Sequence, residues 1–223
     1  GQDEGALGPT GLREKDLVLD VARRVGRRLT AAGIRVVLTR RDDRFLALEE
    51  RTAVANDAHA DLFLSIHANA STSHSPRGIE TYFASLESSD EESRRVAERE
   101  NTALGARSPS SDPSDPVAAI LGDLIETEHL QESSEFAKLA EGGLSKVADE
   151  RSRGVKQAPF VVLMGVRMPA TLVEIGFVTH PDEEGLLRKD RQKERIAEAL
   201  TAAVVDFGKR YDARRGVKPS PRS

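Results

Sequence analysis

The residues of this chain that could do chemistry are few. Its 223 residues include no cysteine and five histidines: His59, His67, His74, His129 and His180. Without cysteine there is no disulfide framework, no thiolate metal site and no cysteine nucleophile. No two histidines stand four residues apart, so the HExxH helix of many zinc proteases is absent. The GxSxG elbow of serine hydrolases and the GxxxxGK[ST] phosphate loop are missing as well. What stands out is polar residues at the ends of apolar runs: His67 closes the run 62–66, and Glu174 follows the run 170–173. In open α/β sheets ligands bind beyond the carboxyl ends of strands, where both residues fall. A histidine there can be a ligand or catalytic group, or a hydrogen-bonded structural residue. A glutamate there can move a proton, or cap the following turn. Glu14 by itself reads as an ordinary first-turn helix glutamate favoured by the helix dipole. Residue chemistry alone reaches an α/β domain with a possible His/Glu site.

The elements that must position these residues follow from hydrophobic periodicity. Leu17, Val21, Val25 and Leu29 form an apolar stripe on a helix that begins at Glu14 and stops at Gly33. The β-branched run 35–39 predicts a strand, 46–60 a helix, and 61–67 and 78–83 two further strands. Residues 85–154 change character. Ser- and Pro-rich stretches at 88–93 and 108–116 read as turn-rich loops. Two amphipathic patterns accompany them, one on Val117, Ile120, Leu121, Leu124 and Ile125, the other on Phe136, Leu139, Leu144 and Val147. The runs 160–163 and 170–175 predict strands again, and 189–211 a last helix bearing Ile196, Leu200, Val204 and Phe207. The expected fold is α/β: a single mixed, mostly parallel sheet flanked by helices, with a helical insertion at 85–154. One domain would span 1–215, followed by a linker-like tail at 216–223. Hydrophobic residues are only 38% of the chain, so part of it is not core. The net charge of −4 comes without a basic face, which argues against a nucleic-acid partner. No run approaches the ~20 apolar residues of a membrane span.

Taken together, several motifs carry a resemblance. They are Gly1-Gln2-Asp3-Glu4-Gly5-Ala6-Leu7-Gly8, Gly11-Leu12-Arg13-Glu14, Val37-Leu38-Thr39-Arg40 and Leu48-Glu49-Glu50-Arg51-Thr52-Ala53-Val54-Ala55-Asn56. Then come Ser65-Ile66-His67-Ala68-Asn69, Gly78-Ile79-Glu80-Thr81-Tyr82, Met168-Pro169-Ala170 and Val173-Glu174-Ile175-Gly176-Phe177. In this order the chain resembles the type 3 family of N-acetylmuramoyl-L-alanine amidases, zinc hydrolases of bacterial peptidoglycan. The resemblance implies a zinc cofactor held by Glu14 and His67, with Glu174 as the catalytic acid/base. The family's first zinc histidine would lie two residues before Gly1, outside this sequence. His180 departs from the usual asparagine and is expected to be structural.

The resemblance further implies hydrolysis of the amide bond between N-acetylmuramic acid and L-alanine, for wall remodelling or daughter-cell separation. It places the mature protein in the periplasm or outside the cell. Regulated members carry a helical insertion over the active site, which the stretch from Arg99-Glu100-Asn101 to Phe136-Ala137 resembles. A helix over 116–130 would then lend a carboxylate, Glu126 or Glu128, to the metal's open position, until an activator protein displaced it. Two other functions compete: a metal-free homologue acting as a peptidoglycan-binding or regulatory module, and a zinc peptidase acting within the stem peptide.

Overall fold

The structure, a computed structural model, describes residues 2–73, 75–103, 127–148 and 151–216. Helix α1 (Glu14–Ala31) turns Leu17, Val21, Val25 and Leu29 inward, as their four-residue spacing requires. Acidic Glu14 and Asp16 occupy its first turn and Arg28 its last, each at the end where the helix dipole favours its charge.

Four strands form one sheet in the order β1-β4-β2-β3. They are β1 (Phe63–Asn69), β2 (Ile79–Ala84), β3 (Ser152–Ala158) and β4 (Ala170–Phe177). The β1–β4 and β2–β3 pairs are parallel and the β2–β4 pair antiparallel, so the sheet is mixed. Every residue of the central strand β4 is buried, the pattern of a strand covered on both faces.

Alternation along the strands divides the core in two. One face packs Val173 and Ile175 against α1, α4 (Thr127–Val147) and α7 (Asp190–Arg214). There the Phe136 and Phe207 rings lie 5.3 Å apart. The other face packs Leu172 and Tyr82 against α2 (Leu48–Asp57), α3 (Glu91–Ala103) and the single turn α5 (Val161–Met164). The Tyr82 and Phe160 rings meet there at 4.9 Å. A short helix, α6 (Pro181–Leu187), follows β4.

Four expectations from sequence are corrected. Residues 34–38 run without regular secondary structure, because among the described residues no strand stands beside them to complete a ladder. Residues 161–164 form a helical turn: a four-residue apolar run fits a buried helix as well as a strand. Asn101 fixes this turn by accepting a hydrogen bond from the Val161 amide at 3.0 Å. Strand β3 went unforeseen because Arg153, Lys156 and Gln157 give it the charged look of a loop, although charged side chains suit an edge strand. The last residues of the 88–93 stretch open α3, where Asp90 accepts hydrogen bonds from the Ser93 amide and hydroxyl at 2.7 and 2.6 Å. The expected helix face at Val117–Ile125 and the tail from Val217 lie outside the described residues.

Candidate active site

His67 and Glu174 are paired in register on neighbouring parallel strands, and Glu80 on β2 pairs with Glu174 from the other side. Residues in register point to the same face, so these three side chains form a row across the sheet. The face is the one covered by α2, α3 and α5. His67 and Glu174 lie toward the carboxyl ends of their strands, as expected from sequence.

Glu14 reaches this row from the start of α1. The loop before it folds back, with a bridge between Leu7 and Arg13 and the Glu14 amide donating to Ala6 O at 2.9 Å. Its carboxylate accepts from the Ala6 amide at 2.9 Å and from the Ala68 amide, next to His67, at 3.2 Å. Gly5, at φ +66°, lets the backbone lie against this carboxylate; a Cβ there would stand 2.5 Å from Oε2. Glu14 is thus a buried group aimed at His67, which an ordinary solvated first-turn glutamate would not be.

A residue that sequence reasoning did not single out completes the cluster. Glu100, in the last turn of α3, joins Glu14 and His67 so that one donor atom from each lies within 4.8 Å of the others. His67 Nδ1 stands 3.2 Å from Glu14 Oε1 and 2.9 Å from Glu100 Oε2. Nδ1 is buried beside both carboxylates without a hydrogen bond to either. The opposite ring nitrogen, Nε2, is satisfied by Ser65 Oγ at 3.1 Å. A ring fixed through one nitrogen with the other facing two carboxylates is the arrangement a metal-ligating histidine adopts. Nitrogen and oxygen donors at this separation suit zinc among other divalent ions. Glu126 lies outside the described residues, as does the side chain of Glu128, so the carboxylate found beside Glu14 and His67 is that of Glu100.

Charge in this pocket is unevenly compensated. Arg99 donates to Glu100 Oε1 at 3.1 Å, to Asn69 Oδ1 at 2.9 Å and to Ala70 O at 2.9 Å. Burial would raise the Glu100 carboxyl, but His67 and Arg99 overcome it and hold it at about 2. Burial opposes a charged His67, yet Glu100 and then Glu14 push it up to about 10 in the metal-free protein. Glu80, fully buried, is neutralised by Arg153 and by Lys156 at 3.2 Å, and accepts from Tyr82 Oη at 2.6 Å. Among the described residues Glu174 has no ion pair or hydrogen bond of this kind, and His67 and Arg99 offset its burial only in part. Both its oxygens are buried without a hydrogen bond, and burial together with the nearby Glu100 charge raises its pKa well above the ordinary carboxylate range.

A cavity of about 760 Å³ extends from this cluster. Glu14, His67 and Glu100 line one end; Val25, Val36 and Leu64 lie along its apolar length. One wall is β1, an edge strand whose only described neighbour is β4, and another is the extended segment 34–38. His180 lies at the start of α6, away from the cluster.

The state of Glu174 has a measurable consequence. The unfolded chain ionises this group near 4.5, while the folded protein keeps the proton to higher pH. Folded protein therefore binds more protons, and this contribution to stability declines as pH rises through the raised pKa. Glu174→Gln mimics the protonated form and removes the decline. Thermal unfolding of the metal-free proteins should give the variant the higher Tm at pH 8, the gap closing below about pH 4. A wild type at least as stable as the variant at pH 8 contradicts the assignment.

The sequence signature described as N-acetylmuramoyl-L-alanine amidase matches residues 1–206. N-acetylmuramoyl-L-alanine amidase AmiA of Escherichia coli (strain K12) is 34% identical over 214 residues, which are 95% of this chain and 74% of that protein. N-acetylmuramoyl-L-alanine amidase LytC of Bacillus subtilis (strain 168) is 36% identical over 206 residues, 92% of this chain but 33% of LytC. The crystal structure of N-acetylmuramoyl-L-alanine amidase from Clostridium difficile 630 superposes with a TM-score of 0.71 at 26% identity, covering 94% of this chain and 91% of that one. With the signature spanning residues 1–206 and relatives above 30% identity over most of its length, the chain belongs to the N-acetylmuramoyl-L-alanine amidase family of hydrolases.

Proposed function

We propose that the chain carries the zinc-dependent catalytic machinery for hydrolysing the amide between N-acetylmuramic acid and L-alanine in peptidoglycan. The single observation that carries this reading is Glu174: a fully buried carboxylate with both oxygens unpartnered, in register with His67 and facing the Glu14–His67–Glu100 cluster. Leaving a buried carboxylate unsatisfied costs several kcal/mol, and functional sites are where such groups persist.

In this reading Glu14 and His67 hold the ion, His67 through Nδ1 with Nε2 steadied by Ser65. The ion would supply a Lewis acid that polarises the scissile carbonyl and acidifies a water molecule. Glu174, in its ionised form, takes a proton from the attacking water. It returns that proton to the departing amine of L-alanine, without which the amine is a poor leaving group. Burial and the Glu100 charge raise its pKa above the ordinary carboxylate range, which makes it a stronger base than a solvated glutamate. Arg99, donating to Asn69 Oδ1 at 2.9 Å and to Glu100 Oε1 at 3.1 Å, ties Glu100 to β1.

The apolar cavity runs along β1, whose only described neighbour is β4. An extended segment lying there would pair with β1 and with residues 34–38, and its carboxyl end would reach the cluster. A strand carrying the imidazole that the resemblance puts two residues before Gly1 meets that description. With three such ligands, a zinc site keeps one position open for water or substrate. Glu100 stands beside Glu14 and His67, and we assign to it a role in closing the site; Glu126 and the side chain of Glu128, expected in that role, lie outside the described residues. Action on peptidoglycan places the protein on the outer side of the cytoplasmic membrane. No described helix is long and apolar enough to cross that membrane.

Two measurements test this. Glu174→Gln should retain zinc and lose about 10²–10⁴-fold in the rate of stem-peptide release from purified peptidoglycan; full activity would make another residue the base. Glu100→Ala should raise basal peptide release about tenfold or more, as expected if a closed state is favoured by ~2 kcal/mol. If Glu100→Ala abolishes zinc binding instead, Glu100 is a permanent ligand and not a stopper.

A further inference from the structure

Glu184 lies 170 residues from Glu14 in sequence and belongs to neither the cluster nor the sheet, yet its carboxylate holds the loop that delivers Glu14. It projects from α6 and is 1% exposed. Its Oε1 accepts from the Leu12 amide at 3.0 Å and the Thr10 amide at 3.1 Å, and Oε2 accepts from Thr10 at 3.0 Å. Arg188, one turn on, donates to Glu184 Oε1 at 3.2 Å and to Thr10 O at 2.8 Å, pinning the same turn from its carbonyl side.

Within residues 8–12 the turn is closed by two backbone bonds, Gly8 N to Leu12 O at 2.8 Å and Gly11 N to Gly8 O at 3.0 Å, and Glu14 N to Ala6 O at 2.9 Å closes the loop beyond it. The Thr10 and Leu12 amides belong to no ladder, so the carboxylate supplies the acceptor a sheet would otherwise provide. Gly8 is required at this contact. A Cβ there would overlap the Glu184 carboxylate and stand 2.8 Å from Val178 O. Glu14 follows Leu12 by two residues, a span of at most ~7 Å of chain, so a shift of the turn passes directly to the carboxylate beside His67.

We propose that Glu184 is a positioning residue for the metal site: its grip on the Thr10 and Leu12 amides fixes where the Glu14 carboxylate stands relative to His67. The claim rests on the zinc reading given above. The adjacent Glu183 provides an internal contrast. It is also buried and also takes two backbone amides, Gly78 and Phe177, each at 2.7 Å, but it makes no contact with the 8–12 turn. Neighbouring carboxylates on one helix thus hold different segments: Glu184 the loop that carries Glu14, and Glu183 the start of β2 and the end of β4, with no bond to Glu14 or His67.

The test compares the chain with its Glu184→Gln, Glu183→Gln and Gly8→Ala variants, using zinc alone as ligand in calorimetric titration and amide hydrogen exchange over residues 8–14. Glu184→Gln turns an NH₂ toward two N–H donors. It should speed exchange at Thr10 and Leu12 and weaken zinc about tenfold or more, as loss of an outer support for a metal ligand does. Gly8→Ala should do the same, and the double variant should lose no more than the worse single one, because both break one contact. Glu183→Gln should leave zinc affinity near that of the parent chain. Faster exchange in Glu184→Gln with unchanged zinc affinity overturns the proposal, as does an equal loss in Glu183→Gln, which would mark general loosening. Should Glu184→Gln fail to fold, Gly8→Ala carries the same two readouts, and its results support or overturn the proposal in the same way. A parent chain that takes up no zinc overturns the zinc reading itself, and this claim falls with it; zinc bound equally by parent and variants overturns this claim alone.

Discussion

Three carboxylates, buried Glu14 and Glu174 and half-buried Glu100, surround one imidazole, with donor atoms of Glu14, Glu100 and His67 inside a 4.8 Å span. Like charges about 4 Å apart repel by ~4 kcal/mol at the effective dielectric of a protein site, so the arrangement persists only because each charge is answered differently. Glu14 is held by two backbone amides, Glu100 by Arg99, and His67 takes on positive charge between them. Glu174 has no hydrogen bond to either oxygen, and burial with the Glu100 charge outweighs His67 and Arg99 to raise its pKa. A divalent cation at the centre would relieve the Glu14–Glu100 repulsion, leave His67 neutral and draw Glu174 toward ionisation, which is why the metal reading explains the cluster economically.

The rest of the architecture serves this convergence. Parallel pairing puts His67 and Glu174 side by side, and antiparallel pairing brings Glu80 to the same row. Glu80 is compensated by Arg153 and Lys156, whose partners Glu92 and Asp90 lie at the start of α3. The ion pairs that neutralise the row therefore also seat the helix that carries Glu100. On the opposite side, the glycine loop at 5–11 replaces side-chain bulk with backbone amides that meet Glu14 and Glu184. The apolar cavity flanked by β1 and residues 34–38 marks where the sheet, as described, has an unsatisfied edge.

Sequence alone reached His67 and Glu174 because each interrupts an apolar strand with a group that burial penalises, and strand alternation then fixes a common face. The mixed sheet with flanking helices followed from the same periodicity. Glu14 was not legible that way; a first-turn glutamate is ordinary, and only the family resemblance set it apart. Glu100 was missed because α3, with Arg94, Arg95, Glu98 and Arg99 around it, has the charge pattern of a solvated helix face. The signal available was Asn101, buried and bonded to Pro159 O and the Val161 amide, which fixes the phase of α3 and turns its neighbours inward. The run 35–39 has strand composition but no strand beside it among the described residues, and composition does not report a neighbour. Glu183 and Glu184 looked like surface residues of a short acidic helix until the backbone amides they bind came into view.

The most direct test of the shared metal centre is X-ray absorption at the zinc edge on the zinc-loaded protein, compared with its His67→Ala variant. The account predicts one zinc per chain in a four-coordinate shell of nitrogen and oxygen donors at about 2.0–2.1 Å. The imidazole multiple-scattering signal should weaken in the variant. An all-oxygen shell without imidazole scattering, identical in the two proteins, would contradict it.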